Sequence, residues 1–86
     1  MNNNLYIIRI TYKGESKGYL HIDHDSLPFA FKSREEAFKS VQKHIKSQIQ
    51  EGYERVSEMQ IKKGSDEDKN YSFTITYEIE QLIIMD

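Results

Sequence analysis

Apolar and polar residues alternate near both ends of the chain and recur every three to four positions in its middle. That change of period predicts strands flanking a helix. Within residues 5–12, Tyr6, Ile8, Ile10 and Tyr12 share one face, and Leu5, Ile7, Arg9 and Thr11 the other. Residues 13–17 read as a turn, because Gly14 accepts positive φ without steric penalty. Residues 18–23 then return as a second strand, with Leu20 and Ile22 inward and Tyr19, His21 and Asp23 outward. A loop over 24–28 follows, where Pro28 biases Leu27 towards extended backbone.

Ser33 and Glu36 have the spacing of a capping box, in which the serine oxygen accepts from the Glu36 amide. Glu35 and Glu36 also suit the positive end of a helix dipole. Ala37, Phe38, Val41, Ile45 and Ile49 make an apolar stripe, and Gly52 suits a left-handed cap, which predicts a helix over 33–51. Residues 53–63 read as a third strand in which Arg55 and Val56 fall out of phase, as a bulge would place them. A polar loop over 64–70 leads to residues 71–79, where Tyr71, Phe73, Ile75, Tyr77 and Ile79 alternate with polar side chains. The expected architecture is α+β, in the order ββαββ. An antiparallel sheet of two hairpins carries one amphipathic helix packed on one face, in a single domain over 1–86. The periodicities leave the pairing order of the hairpins open.

Composition narrows this picture. The chain has 86 residues and no cysteine, so neither disulfides nor a thiolate zinc site staples it. Apolar packing must hold a domain this small, alone or with a partner subunit. The amino terminus lacks the basic and apolar segments of a signal peptide. The longest apolar run, residues 82–85, falls far short of the ~20 residues that cross a bilayer. A soluble, cytoplasmic protein without membrane contact is expected. The net charge of −2 hides a split: residues 1–63 sum to +3 and residues 64–86 to −5. Such a split can orient a docking partner, or it can merely reflect where loops fall.

Candidate chemistry is sparse. His21, Asp23, His24 and Asp25 form the one dense group of metal-capable residues, and a solvated strand end explains them more simply than a metal site. Residues 66–70 imitate the opening of a calcium loop, but Tyr71 stands where the glycine belongs and Tyr77 where the bidentate glutamate belongs. No nucleophile elbow and no phosphate-cradling glycine loop occurs. A non-enzyme with no cofactor and no bound metal is therefore expected.

Three groups of residues are the candidates for partner contact. Lys39, Lys43 and Lys46 form a basic stripe on the helix face away from the core. Tyr19 and His21 stand together on the outward face of the second strand. Leu82 and Ile84 belong to an apolar terminal segment whose side chains point to both sides of a strand, suited to pairing with another chain or to a homodimer. The expected function is a small binding protein acting by protein–protein contact, with the profile of inhibitors or accessory proteins of phage and mobile-element type. The alternative is a nucleic-acid-binding module using Lys39, Lys43 and Lys46, with salt-dependent phosphate contacts.

Overall fold

The computed structural model describes residues 3–64 and 71–84. β1 (Asn3–Ser16) and β2 (Tyr19–Phe31) form a long hairpin, α1 (Arg34–Gln50) follows, and β3 (Glu54–Ser57), β4 (Gln60–Gly64) and β5 (Ser72–Ile84) complete the chain. Among the described residues these make one five-stranded antiparallel sheet in the order β2-β1-β5-β4-β3, with the helix on one face. The α+β class and the single helix are as the periodicity predicts. The first and last strands of the sequence lie side by side at the centre of the sheet, paired from Asn3 with Ile84 to Glu15 with Ser72.

The alternation of β1 and β5 places Ile8, Ile10, Ile75 and Tyr77 beneath the helix. There they meet Ala37, Val41 and Ile45 and, from β4, Ile61. Tyr6, Tyr12, Phe73 and Ile79 pack around this core. Both helix ends follow their sequence signals. Ser33 Oγ accepts from the Glu36 amide at 3.1 Å. At the other end Gly52 adopts φ 105° while its N–H donates to Ile49 and that of Tyr53 to Gln48, a complete Schellman cap. Ile49, the last residue of the predicted stripe, is exposed.

Four expectations are corrected. The third strand is a hairpin: β3 and β4 turn tightly through Glu58 and Met59, so the order is ββαβββ. No glycine, proline or asparagine marks that turn, which is why the alternation reads straight through it. The first turn is shorter than predicted. β1 runs on to Ser16 and only Lys17 and Gly18 turn, with Gly18 at φ 77°. Gly14 is thus a strand residue, kept small because a Cβ there would lie 3.0 Å from Tyr71 Oη.

The shorter turn also inverts the second strand. Tyr12 pairs with Asp23 and Lys13 with Ile22, so Leu20 and Ile22 lie on the face away from the helix. Both remain exposed, at 56% and 49%. Tyr19, His21 and Asp23 take the helix side, beyond the reach of the helix itself. Finally, the expected loop over 24–28 is strand. β2 continues to Phe31, with a register irregularity between Ile7 and Arg9 that accommodates Pro28 on the outer edge.

Candidate functional site

A step in the sheet creates a concavity among the described residues. β4 pairs with β5 only from Gln60 opposite Thr76 to Gly64 opposite Ser72, whereas β5 itself runs on to Ile84. Beyond Thr76 one further bond is made, the Tyr77 N–H donating to the Met59 carbonyl at 2.8 Å. In an antiparallel ladder the N–H and C=O of alternate residues point to the same side. Those of Ile79, Gln81 and Ile83 therefore face the same way as Tyr77 N–H, towards an edge that no described residue pairs. From Glu78 to Ile84 this edge is about 20 Å long, at ~3.3 Å per residue.

The first two turns of α1 overhang the open edge. Between them lies a groove of about 860 Å³ lined by Arg34, Glu35 and Phe38 from the helix, Glu58 and Met59 from the β3–β4 turn, and residues 77–80 of β5. Phe38, Met59 and Ile79 are half-buried and give the groove an apolar bed. The turn that supplies Met59 is braced, because Gln42 Nε2 donates to the Glu58 carbonyl at 2.7 Å and Arg55 donates to it at 3.3 Å. At the floor, Tyr77 is buried and its hydroxyl shares a hydrogen bond with His44 Nδ1 at 2.5 Å. Burial holds the Tyr77 phenol well above its ordinary pKa, with smaller contributions from Tyr12 and Tyr53.

Charge around the groove is uneven. Glu35 and Glu58 supply two carboxylates beside the guanidinium of Arg34, and Glu78 and Glu80 of the same edge carry theirs on the opposite face of the sheet, with Arg9 and Ile7. Arg34 lies over the Tyr6 ring at 5.4 Å, Glu35 is joined to Lys39 at 3.4 Å, and Glu80 is joined to Arg9 by a charged hydrogen bond. That bond is the main reason the Arg9 guanidinium holds its proton more tightly than usual. Among the described residues Glu58 and Glu78 take part in no ion pair.

The partner-contact candidates fall on separate surfaces. Lys39, Lys43 and Lys46 stand on the solvent face of α1. Tyr19 and His21 are exposed on the arm of the first hairpin, and His21 lies 3.8 Å from Asp23. Leu82 is half-exposed on the face opposite the helix, beside Leu5. Ile84 pairs with Asn3 through its backbone, and its side chain lies outside the described residues. His21 sits opposite Gly14 and Leu82 opposite Leu5, so the two are nine β1 positions apart, about 30 Å at ~3.3 Å per residue.

The metal-capable group is split by the strand. His24 points to the other face, where its Nδ1 lies 3.3 Å from Thr11 Oγ1, and Asp25 binds the Ser26 amide at 2.8 Å. Among the described residues no group of three or more such side chains is placed to hold a metal ion. The calcium-like residues 66–70 lie outside the described residues. No described helix is long and apolar enough to cross a membrane.

The groove residues Phe38, Met59, Ile79, Glu58 and Glu78 were not candidates on sequence alone. Their periodicities assign Phe38 and Ile79 to the core, and the turn that brings Met59 beside them carries no turn residue. No family model, curated protein or solved structure matches the chain.

Proposed function

We propose that this chain is a non-enzymatic, cytoplasmic protein-binding domain that captures an extended segment of another protein by adding it to the sheet. The observation that carries this reading is the step at Thr76, which leaves one edge of β5, from Glu78 onward, without a partner among the described residues beside an apolar groove. Strand addition takes its affinity from main-chain hydrogen bonds and its selectivity from alternate side-chain pockets, and this edge offers both.

The two terminal strands of the sheet are less suited. β2 carries His21, Asp23, His24, Asp25 and Pro28 along its length and an irregular register near its end, features that discourage pairing, and β3 is only four residues long. The nucleic-acid alternative has less support, because Lys39 of the stripe is already joined to Glu35. An inhibitory or accessory role for the captured partner fits the small size and the lack of recognisable catalytic motifs.

Selection of random peptides displayed on phage against the purified protein tests the reading. Enriched peptides should slow hydrogen exchange at the amides of Ile79, Gln81 and Ile83, and Gln81→Pro should weaken them roughly tenfold by deleting one donor. The Gln81 N–H faces away from β1, so the proline leaves that ladder intact. No enrichment, or protection confined to other strands, would overturn the reading.

A further inference from the structure

The groove also specifies the kind of segment it takes, and this inference rests on the strand-addition reading above. We infer that the partner is an extended peptide in which apolar residues alternate with lysine or arginine.

The argument is one of register. Any strand laid against β5 has its side chains on the same two faces as those of β5. Residues opposite Ile79 and Gln81 project to the helix side, into the space between Phe38 and Met59. Water leaves that space only if an apolar side chain enters it. Residues opposite Glu78 and Glu80 project to the other face, because those glutamates share it with Arg9 and Ile7 of β1. Directly opposed side chains on one face have Cβ atoms ~5 Å apart. A basic residue there meets Glu78, which has no ion-pair partner among the described residues. An acidic residue there meets like charge, with Glu58 near the mouth of the groove adding to the repulsion. The next pair along, Leu82 and Ile83, repeats the alternation with an apolar residue on each face, so selectivity for charge is concentrated at two positions.

Two synthetic eight-residue peptides separate the possibilities, one of valine alternating with lysine and one of valine alternating with glutamate. By calorimetry at ~50 mM salt the lysine peptide should bind at least tenfold more tightly. The gap should narrow at ~500 mM salt, since partly exposed charges are screened over a few ångströms there. Glu78→Lys should reverse the preference while leaving the thermal midpoint within a few degrees, because Glu78 is exposed.

Equal affinity for the two peptides would overturn the charge inference and leave strand addition standing. Binding of neither, while library-selected peptides still protect residues 79–83, would do the same. Binding of neither together with an empty selection would sink both readings. A peptide-free protein that sediments as a dimer with those same amides protected would place a second copy in the groove, and the inference would fall.

Discussion

The half of the sheet beneath α1 and the arm that reaches past it share strands, yet differ in what covers them. Under the helix, Ile8 and Ile10 of β1 are buried against Val41 and Ile45. Four residues further along the same strand and face, Gly14 has the Tyr71 and Phe73 rings as its nearest neighbours. The β2 residues beside it, Tyr19 to Ser26, are all exposed. The molecule extends 53 Å in one direction and only 26 and 19 Å in the others. Strand periodicity thus reports which side chains share a face, and the neighbouring layer decides whether that face is a core. The covered half should carry the stability, and the open edges and the arm should be free for contact.

The largest effect expected from this contrast lies in the core. Ile45→Ala and Ile61→Ala each remove a fully buried side chain facing the other layer, and each should cost about 2–5 kcal/mol in urea unfolding. An 86-residue domain has a total stability of roughly 4–13 kcal/mol. Either variant should therefore be partly unfolded near room temperature or melt many degrees lower. A loss below ~1 kcal/mol at both positions would mean that the helix and the sheet are not one cooperative unit.

A smaller effect should appear in alkali. The Tyr77 phenol is buried and its pKa lies above the ordinary 10.0. The folded state therefore keeps a proton that the unfolded chain gives up. Stability contributed by this difference is complete below pH ~10 and falls as pH climbs from there towards the folded value. Tyr12 and Tyr53, also raised by burial, act in the same direction. The urea midpoint should hold steady from pH 7 to 9 and drop beyond 10. Tyr77→Phe should flatten that drop while lowering the midpoint at pH 7 through loss of the His44 hydrogen bond. An unchanged slope in Tyr77→Phe would assign the alkaline transition to other groups.

The same contrast separates what the amino-acid order reveals from what it hides. The alternation of 5–12 puts Ile8 and Ile10 on one face of their strand, that of 71–79 puts Ile75 and Tyr77 on one face of theirs, and Ser33 with Gly52 bounds the helix to within a residue. These are local signals, each written in a window shorter than twenty residues. Three things were not local. The side-by-side placement of β1 and β5 joins residues up to 81 apart. The facing of β2 depends on whether the hairpin turns in two residues or five, since an odd shift moves every side chain to the opposite face. The groove needs Phe38, Met59 and Ile79 brought together from three elements, one of them created by the unmarked turn at Glu58. Glycine misled in the same way, since Gly14 resembles a turn residue until the Tyr71 ring above it is known.

The smallest effect expected is also the sharpest test of the difference between the two halves. Leu20→Thr and Ile22→Thr replace apolar side chains that the helix-side core never touches, on a face with no second layer. Threonine keeps the branched shape that a strand favours, so the local backbone preference is retained. Exposed substitutions of this kind change stability by about 0.5 kcal/mol or less. The double variant should therefore unfold within that margin of the parent, at the same urea midpoint and slope. Should it instead lose 2 kcal/mol or more, Leu20 and Ile22 must be covered in solution. A second copy laid on the bare face of the arm is the simplest cover, and sedimentation of the parent at several concentrations would reveal it. A concentration-independent monomer with an unaffected double variant would leave the arm as surface. The stability of the fold would then rest on the layer formed by α1 and the strands beneath it.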